Sequence, residues 1–178
     1  MTTLLAVLAA SEVLTANPVS EASLLRATRI GVQTWDASPE RVLPLLSPRG
    51  EAAWAVGWEP EIRWQASGNG EGTLFVTRTH HDGEALWLLQ TFDSMQHRVA
   101  YTHLLPGILL VELSIALSPL PDGRTRGEVR YTYTALSERG NTRVAEMTEE
   151  HFAAFMRDWE SELNHFLRTG RKPDAAHP

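Results

Sequence analysis

At 178 residues, with 43% hydrophobic and 21% charged residues, the chain has the size and composition of one soluble globular domain, long enough to bury a core. A net charge of -6 with scattered basic residues argues against a nucleic-acid surface. The absence of Cys excludes disulfides, thiolate catalysis and Cys-ligated metals together.

The N-terminal MTTLLAVLAA has a short apolar core, but no Lys or Arg precedes Arg26, so the basic start of a secretory signal is missing. We therefore expect a cytoplasmic protein, with secretion as the alternative, and a break at Asn17-Pro18. From Ser23 to Thr34 the alternation of Leu24, Ile30 and Val32 with Arg26 and Arg29 predicts a first strand. Ser38 as N-cap, Pro39 at the first position and Glu40 behind it start a short helix that Ser47-Pro48 ends. A second short helix is expected from about Gly50 to Val56, stopped by Gly57.

Six strands follow, near 61–67, 72–80, 84–93, 98–105, 108–118 and 124–136. Turn chemistry separates them: Asn69-Gly70, Asp82-Gly83, Ser94 to His97, Pro106-Gly107 and Pro121-Asp122-Gly123. The most apolar run, Leu104 to Leu117, contains Pro106, Gly107 and Glu112 and falls short of the roughly 20 residues a membrane helix needs. Ser137 to Met147 carries no assignment. Thr148 to Gly170 is the longest helical pattern, with Phe152, Phe155, Trp159, Leu163 and Phe166 at three- and four-residue steps. Thr148 is its expected N-cap and Gly170 its stop. A helix of this kind is about 32 Å long, and so wide an aromatic face must lie on a concave apolar surface.

The predicted order is a strand, two short helices, a six-stranded antiparallel meander and a long helix. Within it, Trp54-Ala-Val-Gly57-Trp58-Glu-Pro60, the strand Trp87 to Asp93, Tyr131-Thr-Tyr-Thr-Ala-Leu-Ser137 with Gly140-Asn141, and Trp159-Glu160 with Leu163 to Leu167 carry a resemblance. Together they resemble the SRPBCC (START-like, polyketide cyclase-like) superfamily. The resemblance implies an α+β helix-grip fold: a seven-stranded curved antiparallel sheet wrapped around the C-terminal helix, with two short helices after the first strand. It covers residues 24–170 as a ligand-binding domain, leaving an N-terminal extension (1–23) and a C-terminal tail (171–178). It also implies a cavity between sheet and helix that holds lipids, sterols, hormones or polyketides, and no catalytic motif is transferred with it.

Strand alternation proposes which side chains face that cavity. Val129, Tyr131 and Tyr133 share one face of the last strand, and Val99, Tyr101 and His103 share one face of an earlier one. Ile62 and Trp64 oppose Glu61 and Arg63; Trp87 and Leu89 alternate with Leu86 and Leu88, which leaves both orientations of that strand open. The expected ligand-binding set is Trp64, Trp87, Tyr101, His103, Tyr131 and Tyr133, with Phe155 and Trp159 opposite. The expected partner is a small apolar or amphipathic molecule, with no cofactor. His103 is the one ionisable group in that lining and the candidate general acid or base of an alternative, cyclase/aromatase-like reading. A third reading is a protein-partner module of the chaperone-activator branch.

Glu112 alternates with Val111 and Leu113 and should point outward. His80-His81-Asp82 reads as a turn rather than a metal site, and His151 and His165 are too far apart to share an ion. Ile108, Leu110 and Ala116 lie opposite Leu109, Val111, Leu113 and Ile115, so that strand reads as apolar on both faces. A cover is expected over it, either the N-terminal segment (Leu4, Leu5, Val7, Leu8) or a second subunit in a homodimer.

Overall fold

The computed structural model describes residues 23–174 apart from 66, 69 and 80–82. The apolar N-terminal segment, the Asn17-Pro18 break, Asn69, the His80-His81-Asp82 run and residues 175–178 lie outside the described residues. The strands are β1 (Arg26–Trp35), β2 (Glu61–Trp64), β3 (Leu74–Thr79), β4 (Gly83–Asp93), β5 (Arg98–Leu105), β6 (Leu109–Pro119) and β7 (Thr125–Ala135). They form one antiparallel sheet in the order β1-β7-β6-β5-β4-β3-β2, so the meander runs in sequence order and β1 closes onto its last strand. The helices are α1 (Pro39–Val42), continued by a 3₁₀ turn (Leu43–Leu46), then α2 (Pro48–Glu51), α3 (Glu138–Glu146) and α4 (Glu149–Thr169). Among the described residues no helix is long and apolar enough to cross a membrane.

Local chemistry sets the helix ends. Thr148 Oγ1 accepts from the His151 N–H at 3.1 Å, and Gly170 adopts a left-handed φ of 68° while its N–H donates to the Phe166 carbonyl at 2.7 Å. Ser47-Pro48 ends one helical stretch, as expected, but it also begins the next. The Ser47 hydroxyl accepts from the Gly50 N–H at 3.1 Å with Pro48 in the first turn, so α2 starts before Gly50 rather than at it. The unassigned segment after β7 is α3, where the Ser137 side chain caps Gly140.

Register places the two faces of the sheet. Phe75, Trp87, His103, Val111 and Tyr133 form one inward row across five strands, and Leu89, Tyr101, Leu113 and Tyr131 form the next. The ambiguous strand is thereby resolved, with Trp87 and Leu89 buried and Leu86 exposed. Glu112 faces out and pairs with Arg26 at 2.8 Å. β6 is not apolar on both faces: Ile108 precedes the strand and is buried, its carbonyl accepting from the Leu136 N–H at 2.8 Å. Glu112, Ser114, Ala116 and Ser118 are exposed, so of the expected outer set only Leu110 remains as a half-buried apolar side chain. The pattern that suggested a cover is absent there. On β1 the apolar residues Ile30 and Val32 are 51% and 54% exposed, while Gly31, Gln33 and Trp35 face α4.

The helix α4 is fastened along the free edge of β1. Gln33 Nε2 donates to the Met156 carbonyl (2.6 Å), the Thr34 N–H to Glu160 (3.0 Å) and Asn164 Nδ2 to the Thr34 carbonyl (2.9 Å). Gly31 permits this approach, since a Cβ there would stand 2.7 Å from Met156 Cγ. The buried stripe of α4 is Phe152, Met156, Trp159 and Leu163. Phe155 is 38% exposed and Phe166 only partly buried, so Met156 holds a place expected of a ring.

Candidate functional site

Tight seating on β1 leaves α4 away from the middle strands, and a cavity of about 550 Å³ opens between them. Its floor is the inward face of the sheet: Trp87, Tyr101, His103, Leu113, Tyr131 and Tyr133. One wall is α4, through His151, Phe155, Asp158, Trp159 and Glu162; the other is the end of α2 and the segment after it, Glu51 and Ala55 to Trp58. A groove of about 600 Å³ also runs outside, between β1 and α4, but it holds none of the candidate residues and only one aromatic ring, Phe152.

Seven of the eight candidate residues line this cavity; Trp64 does not. A bulge between Ile62 and Trp64 pairs Trp64 with Leu74, on the opposite face from Phe75, and leaves it 58% exposed. The extra residue breaks the strict alternation from which an inward Trp64 was read.

Each remaining group has a defined environment. The Trp87 indole N–H donates to Thr77 Oγ1 at 2.9 Å, and its ring stacks on His103 with centroids 4.1 Å apart. The Tyr101 hydroxyl donates to the Leu46 carbonyl at 2.6 Å, tying the 3₁₀ turn to the sheet. Tyr131 and Tyr133 stack with centroids 5.7 Å apart, and among the described residues neither hydroxyl has a protein hydrogen-bond partner. Burial holds both phenols well above their usual range. Trp159 packs on Trp54 (5.7 Å), Phe155 (6.3 Å) and Trp35 (6.4 Å).

The ionisable groups are tuned by dryness. Desolvation lowers His103 to about 4, so the imidazole is neutral at physiological pH, and its Nδ1 is sealed from solvent with no hydrogen-bond partner. Desolvation raises Glu51 to about 8, against a hydrogen bond from Trp159 that favours the ionised form; neighbouring Glu162 adds to the rise. Glu162 is itself raised by burial, although the Val56 N–H donates to it at 2.9 Å. A neutral imidazole and a protonated carboxyl therefore face one cavity, an arrangement capable of holding a polar group or moving a proton.

Glu51, Trp58, Asp158 and Glu162 were not foreseen. Glu51 is the last residue of α2, whereas the helix expected from about Gly50 to Val56 put it in the first turn. Nothing in the sequence signals that this loop closes over the sheet. Among the described residues no three His, Asp or Glu side chains converge as metal ligands.

No protein-family model matches the sequence, and no curated protein is significantly similar to it. Solved structures are similar in fold. Norcoclaurine synthase from Thalictrum flavum superposes with a TM-score of 0.60 at 11% identity, over 94% of this chain and 99% of that one. The Zhui aromatase/cyclase from Streptomyces gives 0.59 at 12% identity, over 84% and 100%. Ara h 8.0201 gives 0.50 at 17% identity, over 78% and 97%. With its seven-stranded sheet, its short helices after the first strand and its long C-terminal helix, the chain has the helix-grip fold.

Proposed function

We propose that the protein binds a small apolar or amphipathic molecule in the cavity between the sheet and α4. The observation that carries this is a space of about 550 Å³ with aromatic walls, in which the Tyr131 and Tyr133 hydroxyls have no protein hydrogen-bond partner among the described residues. That volume is within the usual range for small-molecule sites, and apolar walls with a few convergent polar groups are their usual make-up. Burying a guest's apolar surface contributes roughly 25 cal/mol per Å² before the costs of association. Norcoclaurine synthase, which shares the fold, has been determined in complex with dopamine and hydroxybenzaldehyde, two small aromatic guests. Native mass spectrometry of the purified protein should show a co-purifying small molecule, lost on denaturation. A protein that arrives empty and takes up no aromatic probe would sink this reading.

One observation favours a second reading, a cyclase-like enzyme. His103 is held neutral and Glu51 protonated on the same cavity, so a base and an acid are both present near neutral pH. If the reading is right, His103→Ala keeps guest affinity within about threefold and loses at least about a hundredfold in turnover, the usual weight of one acid–base group. Equal loss of binding and turnover would make His103 a binding residue only.

A further inference from the structure

The charges around the cavity are one-sided. Glu51, Asp158 and Glu162 all contribute to its lining with His103 and His151, and among the described residues no Lys or Arg does. The nearby bases are engaged or outside: Arg29 donates to the Met147 and Thr28 carbonyls, and Lys172 lies beside Glu162 but not on the lining. Glu162 has the Val56 N–H for company. Among the described residues Glu51 has the Trp159 indole, with Glu162, Tyr101 and Tyr131 as its other electrostatic neighbours, none of them a cation.

A carboxyl removed from water without a counter-charge stays protonated, or finds a cation. Two independent features of the same space suit a cation carried on an apolar body. Aromatic faces surround it, Trp58, Trp87, Tyr131, Phe155 and Trp159 among them, and such faces attract positive charge. On the floor, the Tyr131 and Tyr133 hydroxyls have no protein hydrogen-bond partner among the described residues and can accept from a guest.

We propose that the guest is an organic cation, an aromatic body carrying a protonated amine, with Glu51 as its counter-ion and the ring walls around its apolar part. The inference rests on the ligand-binding reading above and narrows its chemistry. It makes Glu51 the residue that determines specificity. Because Glu51 starts largely protonated near neutral pH, an ammonium guest displaces that proton into solvent, and a neutral guest of the same shape does not.

Three probes of matched shape separate the possibilities: naphthylethylamine, naphthylethanol and naphthylacetate, titrated calorimetrically into the full chain in two buffers of different ionisation enthalpy. The amine should bind at least about tenfold tighter than the alcohol, with the acetate weakest, and only the amine should release a proton. Glu51→Gln should bring the amine down to the alcohol's affinity and leave the alcohol unchanged. Alcohol and amine binding equally, or an amine preference that survives Glu51→Gln, would overturn the cation proposal and leave the cavity reading standing. Binding of none of the three would overturn the cavity reading itself. Should Glu51→Gln fail to fold, the amine-to-alcohol ratio and the proton count in the wild-type protein decide alone.

Discussion

His103 and Glu51 respond to one environment in opposite senses, because a dry cavity penalises the charged form of each. The folded-state value of His103, about 4, lies below its ordinary 6.5, so between the two the unfolded chain holds more protons and stability falls as pH drops. The value for Glu51, about 8, lies above its ordinary 4.5, so across that interval the folded chain holds more protons and stability falls as pH rises. His103→Phe should flatten the acid limb of a denaturation profile, and Glu51→Gln should add roughly 1–3 kcal/mol near pH 9. The full shift would give more, but Glu51 keeps partial contact with water. A profile unmoved by either substitution would mean that neither group is dry. Tyr101, His103, Tyr131 and Tyr133 were legible because a strand alternates strictly, whereas Trp87, flanked by Leu86 and Leu88, had its face decided only by register with β3 and β5. Trp64 was misread because a bulge interrupts that alternation, and Glu51 was invisible because its position depends on how a loop folds over the sheet.

Elements were legible where their ends carry their own chemistry. Thr148 and Gly170 bound α4 through bonds to neighbouring backbone, so the 21-residue helix could be read before any tertiary contact was known. The cap of α3 is equally local, but nine residues with a single strong apolar anchor, Val144, leave little periodicity to detect. What no local pattern reveals is how closely elements approach one another. Gly127 on β7 lies under the indole of Trp35, which is wholly buried, and a Cβ there would stand 2.2 Å from a ring carbon. Gly127→Ala should therefore force the indole aside and cost about 1–3 kcal/mol in chemical denaturation. A neutral result would show that Trp35 has room to move.

At the scale of the molecule, the hollow is a wedge. α4 is drawn hard against β1 by Gly31 and by the bonds to Gln33 and Thr34, and among the described residues no hydrogen bond ties it to β4 or β5. The hollow reaches Trp87 and His103, and the α2 segment closes it, held by the Tyr101 bond to Leu46 in the preceding 3₁₀ turn and by the Val56 N–H bond to Glu162. Sequence periodicity supplied the faces and the resemblance supplied the hollow. Neither supplied the asymmetry, which comes from one glycine and a row of side-chain bonds along an edge.

The outward turn of Trp64 has a spectroscopic consequence. Trp35, Trp54, Trp58, Trp87 and Trp159 each touch another ring in or beside the cavity, whereas Trp64 stands 58% exposed on the outer face of β2. Its emission should be red-shifted and open to quenching by iodide, and that of the buried Trp35, Trp54, Trp87 and Trp159 should not. Trp64→Phe should strip out that quenchable share and leave the fold intact. The protein then becomes its own dye, its remaining glow governed by whatever occupies the interior.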